Sequence, residues 1–169
     1  MYESPTEIAA LQDLLDASFA RASEHLIDIM APERRLSAEQ LVADLTGIAV
    51  LNVATVTARG EPRISAVDGH FLHGRWHFTT AAASPKARQL AARPAVSAAY
   101  TPRDGYGVFC HGHARLLERG TPEFTVLNDH LARAYGGPFE DLDMGSGTSY
   151  VQVQPSWMVG FAFARAEGA

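Results

Sequence analysis

Several features that define whole classes of protein are missing from this sequence. Cys110 is the single cysteine among 169 residues, so no disulfide can form within the chain. That is typical of a protein from a reducing compartment. No apolar run approaches the about 20 residues that a membrane-spanning helix needs. The first residues, Met1–Glu7, are acidic and lack the apolar centre of a signal peptide. We therefore predict a cytoplasmic protein with no membrane partner.

Concentrated positive charge is also missing. The formal net charge is -5, and no block of Lys or Arg stands out along the chain. Nucleic acids and anionic membrane surfaces attract proteins through such blocks. We therefore predict no nucleic-acid partner.

The segments that are present predict one mainly β domain. At 47% hydrophobic, the chain can bury a sizeable core. Helical periodicity from about Pro5 to Ile29, and a helix capped by Ser37 that runs to Leu45, form a predicted N-terminal extension, residues 1–46. Residues 47–166 form the predicted barrel domain. Strands are predicted at 48–57, 63–68, 75–79, 95–100, 108–117, 150–153 and 157–161, with a loop at 138–148.

Two helices are predicted between these strands. One follows Ser84, and the other starts at Thr121 and buries Phe124, Leu127 and Leu131. Six or seven strands in meander order, with few helices between them, predict a small antiparallel β-barrel.

The most informative segment runs from Phe78 to Leu90. Ser84 is a good N-cap, and Pro85 suits the first helical position because its missing N–H costs nothing there. Free N–H groups at a helix start attract anions. The same segment supplies cations and hydroxyl donors from Lys86, Arg88, Thr79, Thr80 and Ser84. It predicts a phosphate-binding site, with an ordinary capped surface helix as the alternative.

The order of several motifs resembles that of a known family. These motifs are Arg63-Ile64-Ser65-Ala66-Val67, Phe78-Thr79-Thr80, Ser84-x-Lys86-x-x-x-Leu90, Pro94-x-Val96-Ser97 and Gly112-x-Ala114-Arg115-Leu116. Together, over about Gly47 to Phe163, they resemble the pyridoxamine 5'-phosphate oxidase-like split β-barrel superfamily. That resemblance implies a six-stranded antiparallel split barrel, a homodimer, and an FMN or deazaflavin (coenzyme F420) cofactor in a groove between the subunits.

The resemblance also implies roles for particular residues. Arg63 and the pair Ser84 and Lys86 would contact the cofactor phosphate, while Trp157 would reach the ring from the other subunit. The other cofactor-binding candidates lie on the two strands beside the ring and on the helix: Ile64, Ser65, Ala66, Val67, Phe78, Thr79, Thr80 and Arg88. The implied function is a flavin-dependent oxidoreductase that transfers hydride to or from an unidentified small molecule.

The chain also departs from the oxidase pattern. Pro85 stands where the oxidase has a basic residue, and Arg88 is the candidate replacement. The Arg- and His-bearing C-terminal segments that hold the vitamin substrate of the oxidase are not found, so oxidation of pyridoxine phosphate is not expected. Two alternatives stay open. One is an F420-dependent reductase, whose acidic tail would need cations such as Arg59 and Arg103. The other is a non-catalytic flavin- or haem-binding protein.

The remaining reactive side chains have simpler interpretations. His111 and His113 share one strand face, and His70, His73 and His77 are close in sequence. No carboxylate spacing supports a zinc site, so we predict no metal and place these histidines on the barrel surface or along the groove. Cys110 is expected to pack as a small hydrophobe.

Overall fold

The fold is a six-stranded antiparallel barrel flanked by helices. A computed structural model describes residues 2–138 and 147–163. The strands are β1 (Ala49–Val56), β2 (Pro62–Leu72), β3 (Arg75–Ala81), β4 (Ala95–Arg103), β5 (Tyr106–Leu116) and β6 (Thr148–Ala162). The barrel closes in the order β1-β2-β3-β6-β5-β4, with every pair antiparallel. The predicted fold class is therefore confirmed.

Five α-helices and a short 3-10 turn at Pro32–Arg34 accompany the barrel in the described ranges. The helices are α1 (Pro5–Ala20), α2 (Glu24–Ile29), α3 (Ala38–Asp44), α4 (Pro85–Ala92) and α5 (Pro122–Tyr135). None of these helices has the length and apolarity to cross a bilayer. The predicted caps at Ser37, Ser84 and Thr121 are all confirmed, because each hydroxyl accepts from an amide three residues later.

The core fills the barrel and extends beneath α1 and α3. Leu51, Val53, Phe78, Val108 and Met158 are among its fully buried side chains. Cys110 lies among them, and burial raises the pKa of its thiol to about 12, so it packs as an inert small side chain as predicted. Two smaller apolar clusters lie under α5 and beside α1 and α2.

The N-terminal helical prediction is wrong in one respect. A single helix from Pro5 to Ile29 was expected, but α1 ends at Ala20 and Ser23 caps a separate α2. The break turns Ile29 away from the core, where it is 41% exposed. Within α1 the prediction is confirmed, since Leu11, Leu15 and Phe19 are buried.

The final strand also differs from its prediction. Two strands separated at Gln154–Ser156 were expected, but β6 is continuous from Thr148 to Ala162. Pro155 is tolerated because the register shifts there, opposite Gly112 of β5. Likewise, β4 extends through Pro102 to Arg103, beyond the strand predicted at 95–100. The loop predicted at 138–148 lies largely outside the described residues.

Candidate functional site

A cavity of about 440 Å³ opens where β2 and β3 separate. These strands pair only from Gly69 opposite Phe78 to Leu72 opposite Arg75. The first half of β2, residues 62–68, pairs with β1 alone. The cavity is lined by the start of β2, the ends of β1 and β3, and the start of α4: Thr55, Arg63, Ile64, Ser65, Thr80, Ser84, Pro85, Lys86 and Gln89. Because the two strands separate, the start of α4 and the unpaired edge of β2 face the same cavity.

The start of α4 forms one wall of the cavity. The Ser84 hydroxyl accepts from the Ala87 N–H at 3.1 Å and lies 3.2 Å from the Thr80 hydroxyl. Pro85 has no N–H, so the amide of Lys86 is the first-turn donor left without a helix or cap partner in the described chain. The helix start therefore offers an anion one backbone amide, reinforced by two hydroxyl groups.

Lys86 supplies the central cation of this wall. It is the only lysine in the sequence. Its ammonium lies 5.8 Å from the centroid of the Phe78 ring, and no described carboxylate forms an ion pair with it. Partial burial lowers the pKa of the Lys86 amine, because desolvation disfavours the charged form. An anion in the cavity would reverse this effect by stabilising the ammonium.

Two arginines near the cavity already have partners. The Arg63 guanidinium, on the opposite wall, lies 2.7 Å from the Glu61 carboxylate, and both side chains are about half exposed. Such an exposed pair contributes little and exchanges readily for a better anion. Arg88 does not line the cavity, and its guanidinium donates to the Ala83 carbonyl. The site therefore has Lys86 and Arg63 as its cations.

The structure brings together half of the predicted cofactor-binding residues. Arg63, Ile64, Ser65, Thr80, Ser84 and Lys86 line the cavity. The others lie elsewhere: Phe78 is buried in the core beneath Lys86, Val67 packs against that core, Thr79 is half-buried beside Tyr150, and Ala66 is exposed on β2.

Besides Pro85, two lining residues, Thr55 and Gln89, were not predicted as cofactor contacts. The Thr55 hydroxyl donates to the Gln89 side-chain oxygen at 2.5 Å, and Thr55 is only 2% exposed. A signal for each was present in the sequence. Thr55 is the polar member of the inward row Leu51, Val53, Thr55, and Gln89 lies one helical turn after Lys86.

Trp157 lies on the outer face of the barrel, away from the cavity. Its ring stacks on His111 with 4.7 Å between centroids, and His111 shares a 2.8 Å hydrogen bond with the Ser97 hydroxyl. Strand pairing places Ile64, Ala54, Ser97, His111 and Trp157 in one row across five strands. Ile64 of the cavity and Trp157 are thus at opposite ends of one outward-facing row.

The histidines divide into exposed and buried groups. His111 and His113 are exposed, as predicted. His70 and His77 are not, because helices cover the outer face of β3 and the end of β2, leaving these side chains 1% and 4% exposed. In the described ranges, no three His, Cys, Asp or Glu side chains gather in a geometry that would hold a metal ion.

Comparison with known proteins confirms the resemblance inferred from the sequence. A family described as pyridoxamine 5'-phosphate oxidase matches residues 37–160. Among curated proteins, no significant match is found.

Solved structures share the fold at low sequence identity. HutZ, the haem storage protein of Vibrio cholerae, is 18% identical, with a TM-score of 0.59 over 68% of this chain and 88% of HutZ. An FAD-binding protein of Mesorhizobium loti is 17% identical, with a TM-score of 0.59 over 78% of this chain and 98% of that one. An F420 reductase is 22% identical, with a TM-score of 0.54 over 68% of this chain and 91% of its own. The same barrel thus occurs in proteins whose names refer to three different cofactors.

Proposed function

This chain belongs to the pyridoxamine 5'-phosphate oxidase family, and we propose that it is a flavin-dependent oxidoreductase that binds FMN. The FMN phosphate occupies the cavity between β2 and α4, held by Lys86, Arg63 and the hydroxyls of Ser65, Thr80 and Ser84. When bound, FMN supplies the hydride chemistry, with an unidentified small molecule as the other reactant.

The observation that carries this proposal is the donor set of the cavity. Lys86 and Arg63 line it from two elements, four hydroxyl-bearing side chains line it with them, and no acidic residue does. This composition fits a phosphate, which accepts several charge-assisted hydrogen bonds at once. Only one such cluster lines the cavity, which suits the single phosphate of FMN.

The chain's own residues would position the ring beside β2. Because residues 62–68 pair with β1 but not with β3, one edge of that segment has N–H groups that are not used by the sheet. Such donors, directed at the pyrimidine side of the ring, would stabilise the negative charge that reduction places there. The positive charge of Arg63 would add to this stabilisation, so Arg63→Ala should lower the reduction potential of bound FMN, as read from a photoreduction titration.

Comparing FMN with riboflavin tests the phosphate site directly. Lys86→Ala should weaken FMN binding at least tenfold, about 1.4 kcal/mol, because it removes the central cation. Riboflavin has no phosphate, so its affinity should stay unchanged, which separates lost charge from a damaged site. Equal FMN affinity in wild type and Lys86→Ala, measured by quenching of flavin fluorescence, would remove Lys86 from the proposal.

We further propose that the protein acts as a homodimer through the outer face of β1 and β2. Val50 is 65% exposed and Ile64 is 74% exposed on this face, which is unusual for large apolar strand residues. A second copy covering them would bring its Trp157 towards the ring. Ile64→Glu should convert the dimer to a monomer in light scattering, while Ile27→Glu, at a 40% exposed position on α2, should not. A wild-type monomer would refute the dimer.

The alternatives are an F420-dependent reductase and a non-catalytic flavin or haem carrier. The F420 alternative needs a groove of cations for the acidic tail, and Arg103 was expected to contribute to it. Arg103 instead lies over Tyr106 in a separate cavity with Asp44, so this alternative has less support. The absorbance spectrum of the purified protein distinguishes flavin, deazaflavin and haem. Turnover of reduced cofactor with a panel of electron acceptors then separates an enzyme from a carrier.

A further inference from the structure

A second concave region lies on another side of β3 and shares no lining residue with the FMN cavity. It consists of two adjoining cavities of about 290 and 250 Å³, both lined by Glu7, His73 and Arg75. We call this region the trough. One end lies against α1, and the other lies between β3, β6 and α5. Strand alternation explains the separation, because Phe78 and Thr80 face the barrel interior while His77 faces outward.

A buried hydrogen-bonded pair forms the floor of the trough. The Nδ1 of His77 lies 3.1 Å from the Arg75 carbonyl oxygen, which can only accept, so Nδ1 carries the proton. The Nε2 of His77 therefore accepts from the side-chain amide of Gln152 at 3.1 Å. This fixes the orientation of the amide.

The same amide leaves one acceptor without a protein donor. Gln152 is 4% exposed, yet across residues 2–138 and 147–163 no protein group donates to its side-chain oxygen. This oxygen is not among the described polar atoms that are both unpartnered and fully enclosed, so a donor from outside the protein can reach it. Gln152 lines the trough, where such a partner can reach it.

Arg75 provides the charge of the trough. The two acidic residues there each have a partner, since Glu7 lies 2.9 Å from His73 and Glu123 lies 3.0 Å from Arg115. Arg75 forms no ion pair with any carboxylate in the described ranges, and it lines both cavities. Its charge already helps to lower the pKa of the nearby Glu123 carboxyl, but with no direct ion pair its guanidinium can still form a direct contact with an anion, and a planar carboxylate suits it best.

The walls of the trough are apolar. Leu11 and Leu14 of α1 line one end, and Val126 and Leu127 of α5 line the other. Sites for small organic molecules combine such walls with a few fixed polar groups. The volumes limit the ligand to a single ring or a short aliphatic chain.

We propose that the trough is a second binding site, for a small organic carboxylate with an apolar body and a hydroxyl group. The carboxylate pairs with Arg75, the apolar body packs between α1 and α5, and the hydroxyl donates to Gln152. This site lies apart from the FMN cavity and does not depend on the proposed oxidoreductase activity.

The test uses 4-hydroxybenzoate as the probe and the full-length protein. In amide-detected NMR titrations, shifts should concentrate at Gln152, His77 and Arg75, including the Gln152 side-chain amide. Arg75→Met should weaken binding at least tenfold, because it keeps the apolar stem of the side chain and removes the charge. Arg103→Met, at an exposed arginine outside the trough, should bind as the wild type does.

Related probes test the chemical class. Benzoate, which lacks the hydroxyl, should bind more weakly than 4-hydroxybenzoate, and 4-hydroxybenzylamine, which carries a cation, should bind least. The proposal is overturned by absence of binding at millimolar 4-hydroxybenzoate, by shifts centred elsewhere, or by unchanged affinity in a folded Arg75→Met variant. It is equally overturned if the amine binds as well as the acid.

Discussion

Mild acid should destabilise this protein through its buried histidines, and His77 offers the cleanest test. Burial lowers the pKa of His77 from its ordinary value of 6.5 to about 3, while the hydrogen bond to the Arg75 carbonyl raises it slightly. Burial and the neighbouring His130 lower the pKa of His70 to about 4, with Asp68 opposing them. Both side chains are therefore neutral in the folded protein at pH 5.

The sign follows from comparing folded and unfolded chains. In the unfolded chain each histidine takes up a proton as the pH falls below about 6.5, but the folded protein resists until about 3 or 4. The unfolded state thus binds more protons in this window, and stability falls as the pH is lowered. Where a histidine is protonated in the unfolded chain and neutral in the folded protein, it lowers the free energy of unfolding by about 1.4 kcal/mol for each pH unit. Between pH 7 and pH 5 this amounts to about 2 kcal/mol for each histidine.

Urea unfolding at pH 7, 6 and 5 measures this effect, with the buried Trp76 as the fluorescent reporter. Protein concentration is held fixed because oligomerisation would shift the midpoint. Wild type should lose at least about 4 kcal/mol of unfolding free energy between pH 7 and pH 5, about 2 from each of His70 and His77, with a further loss from His130, whose pKa burial and Arg133 also lower. Glu7, whose pKa is also lowered, acts only below its ordinary value of 4.5 and leaves this range undisturbed.

Two variants identify the source of the pH dependence. His77→Gln keeps an amide donor for the Arg75 carbonyl but cannot titrate. The unfolding free energy that this variant loses between pH 7 and pH 5 should therefore be about 2 kcal/mol smaller than the wild-type loss. His25→Gln, at an exposed position on α2, should retain the wild-type loss. An identical loss in wild type and His77→Gln would show that His77 is protonated equally in both states, and would refute the reasoning.

Three further predictions concern the barrel and the FMN cavity. A Cβ on Gly112 would lie 2.0 Å from the Gln154 carbonyl oxygen. Gly112→Ala should therefore lower the free energy of unfolding, measured in urea, by about 3 kcal/mol or more. Gly137→Ala, with open space around the added Cβ, should change it little. Ser84→Ala removes the cap of α4 and should cost about 1 kcal/mol in the same assay, and an unchanged midpoint would contradict the cap. FMN should slow reductive methylation of Lys86 at least tenfold relative to the N-terminal amine, as read by mass spectrometry, while riboflavin should not; equal protection by both would argue against phosphate contact.

Local features were predictable because few residues determine them. The start of α4 depends on Ser84 and Pro85 alone, and both act as the sequence indicated. The Ser23 cap is equally local, but the apolar periodicity continued across it and favoured one long helix. The error at β6 has a different origin, because Pro155 breaks a strand only where its partner needs an N–H, and the bulge opposite Gly112 removes that need.

Non-local packing accounts for what the sequence did not reveal. His70 and His77 alternate with apolar residues as surface positions would, yet helices distant in the sequence cover them. The Tyr2–His130–His70 chain shows this clearly, since its two hydrogen bonds of 2.9 Å join residues separated by 128 and 60 positions. Likewise, Arg88 and Lys86 were equivalent cations in the sequence, and only the direction of their side chains separates them.

The register of β3 determines which of its side chains face the cavity between β2 and α4 and which face the trough. Thr80 lies at the cavity between β2 and α4 and His77 in the trough, and they face opposite sides because they are three residues apart on one strand. A slip of one residue would bury the wrong set and exchange the two faces. Trp76 and Phe78 oppose such a slip, because both rings are buried in the barrel core. Two core side chains that line neither region therefore help to hold both in place.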